Sequence, residues 1–365
     1  MKHVLYITNY PSPYRVNFFD ELSRYCDVTV LLSERVKEQK HWNPAWFIQG
    51  EGSFHLVELG GLRLKLGEET LCGEVISWLK KPFDVIIVGG YSSPTAILAL
   101  GWLKWKRIPF YMEVDGGLIR EDSRLKYLFK KSLVSSAAFW LSSGEATDRY
   151  LTHYGAKPDR ISHYPFTSLY ARDILSELPS EEEKRELREQ LSMEEEKILL
   201  CACRIDPGKG LDVLLQAAGE LADNVGVYIV GGEPDEQLRQ ILNARALPHV
   251  HFVSFCSKEA LKRYYRAADL FVLPTRSDVW GLVINEAMAC GLGIITTERC
   301  VAGLELVEDG VNGYLVPVDD AAELAEKLNT ALQNDLRAMG RASLEKIRPY
   351  TIENMAKIHG EILGL

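Results

Sequence analysis

The 365-residue chain lacks any apolar run approaching the roughly eighteen residues that a membrane-crossing helix needs. Its start, Met1 to Thr8, is too short in its apolar part for a secretory signal and reads as a first strand, so a cytoplasmic location is expected. There is no Asp-x-Asp motif, so no metal is expected at a diphosphate. No Gly-x-Gly-x-x-Gly follows the first strand of either half, which argues against a dehydrogenase. The seven cysteines have no zinc-ligand spacing. Cys201 and Cys203 alternate along an apolar strand pattern, and Cys26, Cys72, Cys256, Cys290 and Cys300 are scattered, so buried structural thiols are expected. A net charge of −9 without a base-stacking motif argues against nucleic acid as a partner.

What is present is a long alternation of short apolar strands with helical stretches. In the first half, Val4 to Ile7, Val28 to Leu32, Asp84 to Gly89, Phe110 to Val114 and Ala137 to Leu141 read as strands. Asn17 to Tyr25 and Thr70 to Lys80 read as helices. The alternation restarts after a charged tract at 176–196, with strands expected at Ile198 to Ala202, Gly226 to Val230, His249 to Val253, Leu270 to Leu273 and Gly293 to Thr297. The fold class is therefore α/β, with two successive doubly wound parallel sheets. The expected domains are 1–172, a boundary helix within 173–196, a second domain at 197–348, and a last helix in 349–365. Charge follows the same division. Residues 1–172 carry 22 Lys and Arg against 18 Asp and Glu, whereas residues 173–365 carry 20 against 33.

The most informative segment is 275–293, Thr-Arg-Ser-Asp-Val-Trp-Gly-Leu-Val-Ile-Asn-Glu-Ala-Met-Ala-Cys-Gly-Leu-Gly. An apolar strand ends at Pro274, a polar loop follows, and a helix opens beside Gly281 and carries Glu286. The unpaired N–H groups and positive dipole end at Gly281, Leu282 and Val283 suit a phosphate. Glu286, more than a turn further along, would repel phosphate but accept hydrogen bonds from sugar hydroxyls. Phosphate and sugar together indicate a nucleotide or a nucleotide-sugar.

Asp278 and Glu286, separated by seven residues within this run, resemble the acidic motif of the retaining family-4 glycosyltransferases. That resemblance implies the GT-B fold, with two Rossmann-like domains facing a cleft and the donor nucleotide on the second. It implies that Glu286 holds the ribose and that Asp278 contacts the donor sugar or its phosphates. The family usually has glutamate at the first position, so Asp278 is one methylene shorter. The run Arg204-Ile-Asp-Pro-Gly-Lys-Gly210 is similar to the family's arginine and lysine-glycine pair at the donor diphosphate, which assigns Arg204 and Lys209 to catalysis. It is not a Walker loop, because the glycine spacing and the Ser or Thr after the lysine are missing. Gly231 and Gly232, after a strand, allow close backbone approach to the ligand. The segment Phe252 to Cys256, with Phe255, matches the family position that cradles the base, for which uracil is expected.

In the first half, Asn9 to Arg15 replaces the glycine pair common in the family. Pro11 and Pro13 stiffen that loop, and Arg15 is read as reaching a phosphate or starting the next helix. The strand ending at Val114 would normally deliver a histidine, and here it delivers Asp115-Gly116-Gly117. Asp115 is read as meeting a sugar hydroxyl or an acceptor, as a general base, or as an aspartate in a glycine turn. Trp102 to Arg107 and Arg120 to Lys131 interleave cations with apolar side chains, which fits an anionic membrane surface or a partly exposed helix. The expected activity is transfer of a sugar from a nucleotide-sugar, a UDP-sugar by the resemblance, to a lipid-linked or polysaccharide acceptor, with retention and without metal or cofactor. An inverting GT-B transferase, a nucleotide-sugar epimerase and a non-catalytic nucleotide-sugar-binding protein remain as alternatives.

Overall fold

The computed structural model describes residues 1–34, 53–61, 63–67 and 69–365. The chain divides into two compact units, Met1–Ser168 with Tyr350–Leu365, and Leu169–Pro349. Among the described residues, no helix is long and apolar enough to cross a membrane.

In the first unit the strands are β1 (His3–Thr8), β2 (Asp27–Leu32), β3 (His55–Glu58), β4 (Arg63–Leu66), β5 (Glu69–Cys72), β6 (Val85–Gly89), β7 (Tyr111–Val114), β8 (Phe139–Ser142) and β9 (Ile161–His163). β4 and β5 form a small antiparallel pair. The others make one parallel sheet in the order β3-β2-β1-β6-β7-β8-β9. Its order reverses between β1 and β6, the place where a doubly wound sheet leaves a crevice at the strand C-termini. The core packs Leu5, Ile7, Val88, Met112, Trp140 and Leu151.

Two helices differ from the sequence reading. The first runs Pro13–Leu22 rather than Asn17 to Tyr25, because Pro13 sits at the first helical position with its φ already set. The segment expected as a helix from Thr70 to Lys80 instead begins as β5, and only Val75–Trp78 is helical. The buried Glu34 accounts for this. Its carboxylate accepts the Thr70 N–H at 2.6 Å and the Thr70 hydroxyl at 2.8 Å, while Cys72 N–H donates to Thr95 Oγ1 at 2.9 Å. These bonds hold the backbone extended.

The second unit contains β10 (Lys197–Ala202), β11 (Val225–Val230), β12 (Val250–Val253), β13 (Leu270–Leu273), β14 (Gly293–Thr297) and β15 (Gly313–Val316). They form a parallel sheet in the order β12-β11-β10-β13-β14-β15, which reverses between β10 and β13. β11 and β13 are buried along their whole length, as strands covered on both faces should be. The charged tract yields the helix Glu181–Leu191, which belongs to this unit. Lys184 and Arg188 pair with Asp269, at 2.9 and 2.7 Å, and fasten it to the start of β13. The last helix, Ile352–Leu363, groups with the first unit. There Gly360 leaves room for the Tyr25 ring, and the Lys2 ammonium donates to the Leu363 carbonyl at 3.2 Å.

Candidate functional site

The residues expected to hold a donor gather where the second sheet reverses. β10 ends and a short 3-10 turn, Pro207–Lys209, follows; Asp206 caps it by accepting the Gly208 N–H at 2.8 Å. β13 ends at Leu273, and Pro274 follows it. Gly210, at a φ of +67°, lets the two loops touch, since a Cβ there would lie 2.1 Å from the Pro274 carbonyl oxygen. Arg276 then locks them. Its guanidinium forks onto Asp212 at 2.9 and 2.7 Å and reaches the Pro207 carbonyl at 2.5 Å, and its Nε donates to Asp319 at 2.7 Å. This fork was not anticipated, because nothing local in the sequence couples Arg276 to Asp212 or Asp319.

Within this frame the Lys209 ammonium meets the Asp278 carboxylate at 2.5 Å, each side chain about one-fifth exposed. Asp278 is itself held, its N–H donating to the Arg299 carbonyl at 2.9 Å. Three residues on, Gly281 opens the helix Leu282–Ala289 at a φ of +102°, with space so tight that a Cβ would come within 2.7 Å of the Cys300 sulfur. Trp280 fixes the entry by donating its indole N–H to Asn285 Oδ1 at 2.8 Å. The amides of Leu282 and Val283 have no acceptor among the described residues. An ammonium, a carboxylate and two open amides thus share one corner.

Glu286 lies along the same helix and accepts the Tyr265 hydroxyl at 3.2 Å. Burial and the neighbouring Glu286 carboxylate raise the Tyr265 pKa, so the ring stays a phenol and a donor. Leu169, Leu261, Tyr265, Ala289 and Cys290 make a largely apolar pocket with Glu286 in its wall. Gly231, at a φ of +142°, presses its backbone against Cys203, where a Cβ would sit 2.0 Å from the carbonyl oxygen. That contact brings the ends of β10 and β11 together. Arg204 is exposed on the same loop and has no ion pair among the described residues. Phe255 stands exposed in the loop after β12, and Ser254 ties that loop to Glu233 at 2.7 Å.

Arg15 and Asp115 belong to the first unit and meet each other there. Arg15 was read as reaching a phosphate or starting the next helix. It occupies the first turn of that helix, and its buried guanidinium is occupied by Glu113 (2.5 Å), the Tyr6 hydroxyl (2.8 Å) and Asp115, so it is not presented to a ligand. The sequence offered no sign of this, since Glu113 is 98 residues away. Asp115 remains partly exposed beyond the end of β7, and Tyr164 donates to it at 2.9 Å. Gly117 is required there for closeness and not for a left-handed φ, because a Cβ would lie 2.6 Å from the Tyr150 ring. Burial pushes the Cys290 and Cys300 thiols up to about 12.

Also in the first unit, the helix Arg124–Val134 leaves Leu125, Leu128 and Phe129 exposed among its cations, Leu125 by 81%. Lys104 joins the helix Pro94–Lys106 to it by donating to the Ser132 carbonyl at 3.1 Å. Trp105 is exposed as well.

Residues 183–352 match the sequence profile described as glycosyl transferases group 1. The D-inositol 3-phosphate glycosyltransferase of Mycolicibacterium smegmatis is 37% identical over 165 residues, covering 43% of this chain and 37% of that protein. Its counterpart from Geodermatophilus obscurus is 31% identical over 236 residues, 58% of this chain and 49% of that protein. The chain thus spans less than half the length of these curated relatives. Among solved structures, Anabaena Alr3699/HepE in complex with UDP superposes with a TM-score of 0.78 over 100% of both chains at 19% identity. WaaG, a glycosyltransferase of lipopolysaccharide biosynthesis, does so at 0.68 and 18% identity over 99% of both chains. At such identities the likeness speaks for the fold, which is GT-B with two Rossmann-like domains. Residues 183–352, somewhat less than half of the chain, thus resemble the group 1 glycosyl transferases.

Proposed function

We propose that the chain is a glycosyltransferase that moves a sugar from a UDP-sugar to a lipid-linked or polysaccharide acceptor with retention of anomeric configuration. The observation that carries this reading is the corner formed by Lys209, Asp278 and the open amides of Leu282 and Val283, with Glu286 further along the same helix. Cleaving a nucleotide-sugar builds negative charge on the leaving diphosphate. Lys209, Arg204, which has no ion pair among the described residues, and the two amides supply fixed positive potential to that charge, which lowers the barrier without requiring a metal. Glu286, with Tyr265 holding one oxygen, is suited to accept ribose hydroxyls. HepE structures are complexes with UDP, with UDP and glucose, and with UDP-glucose, which supports uracil as the base for this chain.

Asp115 is assigned to a hydroxyl of the transferred sugar. In an inverting transferase the same carboxylate would serve as the general base, so the anomeric configuration of the product separates the two readings. For the acceptor, the exposed Leu125, Leu128, Phe129 and Trp105 among lysines and arginines favour a lipid-linked molecule reached from an anionic membrane surface on the cytoplasmic side. Replacing Leu125 and Phe129 by serine should release the protein from vesicles containing anionic lipid in a sedimentation assay. Equal sedimentation of variant and wild type would remove the membrane from the proposal.

The direct test is a thermal-shift series with UDP, GDP, ADP and their sugars. A ligand of the native state raises the melting temperature by mass action, by an amount equivalent to about 2.7 kcal/mol at a hundredfold excess over Kd. UDP and one UDP-sugar should stabilise the wild type, and Glu286→Ala and Lys209→Ala should lose the shift. No shift with any nucleotide at millimolar concentration would sink the donor-site assignment.

A further inference from the structure

The first unit contains a buried chain of charged groups that ends at Asp115. One oxygen of that carboxylate, Oδ1, accepts two donors, the Tyr164 hydroxyl at 2.9 Å and Arg15 Nη2. The other, Oδ2, has no partner among the described residues, and the side chain is 24% exposed. Behind Arg15 stands Glu113, fully buried, whose Oε1 takes Arg15 Nη1 at 2.5 Å. Its Oε2 faces His359 Nε2 at 3.3 Å. His359, also fully buried, comes from the last helix, 246 residues away in sequence.

The protons on His359 follow from its partners. Nδ1 faces the Met355 carbonyl at 2.8 Å, and a carbonyl can only accept, so Nδ1 carries a hydrogen. Nε2 faces the Glu113 carboxylate. The Phe18 and Tyr164 rings, each centred 4.7 Å from the imidazole, fix its plane. An imidazole and a guanidinium therefore alternate with two carboxylates from the last helix to the strand end. Such a chain is an expensive way to fill a core, since apolar side chains of like volume would stabilise at least as well.

We propose that Arg15, Tyr164, Glu113 and His359 are positioning residues for Asp115: Arg15 and Tyr164 hold Oδ1, with Glu113 and His359 behind Arg15, so that Oδ2 alone is presented to a sugar hydroxyl. Only the identity of that hydroxyl rests on the glycosyltransferase reading; the clamp does not. The groups facing Asp115 are Arg15 and Tyr14 from the first helix, Tyr6 on β1, Glu113 on β7 and Tyr164 after β9, with His359 acting through Glu113. Burial raises the proton affinity of Asp115, Arg15 lowers it, and the Glu113 charge raises it. Removing each partner therefore moves Asp115 in a direction that its place in the chain dictates.

The experiment labels the full protein with 13Cγ-aspartate and follows the Asp115 carboxyl resonance, identified by its loss in Asp115→Asn, through a pH titration. Glu113→Gln should shift its midpoint to lower pH, and Tyr164→Phe, which removes a single donor without opening a cavity, should shift it to higher pH. If Glu113→Gln fails to fold, Tyr164→Phe carries the test alone. Midpoints that match the wild type overturn the clamp. Calorimetry with UDP-glucose and UDP reads the functional half: Tyr164→Phe and Asp115→Asn should weaken UDP-glucose about tenfold while leaving UDP unchanged. Equal losses for both ligands, or none, overturn the presentation of Oδ2 to the sugar. A wild type that ignores UDP and every UDP-sugar tried while the midpoints still move retains the clamp and rejects the donor reading.

Discussion

The Lys209–Asp278 pair makes an unusual prediction, because removing its two members should move nucleotide affinity in opposite directions. At 2.5 Å and about one-fifth exposure, the ammonium of Lys209 is held by a charge-assisted bond. Bonds of that kind contribute about 1.5–3 kcal/mol. A diphosphate entering the corner must draw Lys209 from Asp278 and sit near a carboxylate of its own sign. Lys209→Met removes the cation and should weaken UDP about 10- to 150-fold. Asp278→Asn removes the competitor and a repulsion of about 1 kcal/mol, the value for unit charges some 4 Å apart in water, and should tighten UDP about fivefold. Titration calorimetry with UDP at low salt reads both, and melting temperatures confirm that the variants are folded. The reasoning is refuted if Lys209→Met binds UDP like the wild type, or if Asp278→Asn weakens UDP as much as Lys209→Met does.

Two further predictions concern the frame around that pair. Gly210→Ala puts a Cβ 2.1 Å from the Pro274 carbonyl at a left-handed φ. The conformation alone costs about 1–2 kcal/mol, so the melting temperature should fall by several degrees, and an unchanged value would show that the loops do not touch there. The hydrogen bond from Arg276, against the effect of burial, lowers the Asp212 pKa. A depressed carboxylate contributes stability that is present above the unfolded value, near 3.9, and is lost as pH falls through the folded value. Wild type should therefore exceed Asp212→Asn in stability at pH 7, with the gap closing below about pH 4. A gap independent of pH in denaturant titrations would rule out the ion pair as its source.

The parts of this protein that sequence conveys are those set by local geometry. Val4 to Ile7 and Leu270 to Leu273 read as buried strands because both faces of a parallel strand are apolar. Asp278, Gly281 and Glu286 were placed correctly along one loop and helix, since a glycine at a helix opening fixes where the next turns point. Edge strands such as His55–Glu58 and Ile161–His163 were not legible, being short and half-exposed. The Thr70 helix was misread because Glu34, distant in sequence, captures its backbone. For Arg15, read as reaching a phosphate or starting the next helix, the helix was legible locally but its partners were not, since Glu113 and Asp115 are about a hundred residues away. Charged side chains announce that they need a partner, but not which one.

The measurement that tests the central claim most directly is proton NMR of the full chain incubated with UDP-glucose, and in parallel with other UDP-sugars, in the presence of lipid-linked oligosaccharide. The account predicts that one donor is consumed, that the transferred sugar keeps the donor's anomeric configuration, and that Glu286→Ala abolishes the reaction. Donors that persist untouched, or a product of inverted configuration, would contradict it.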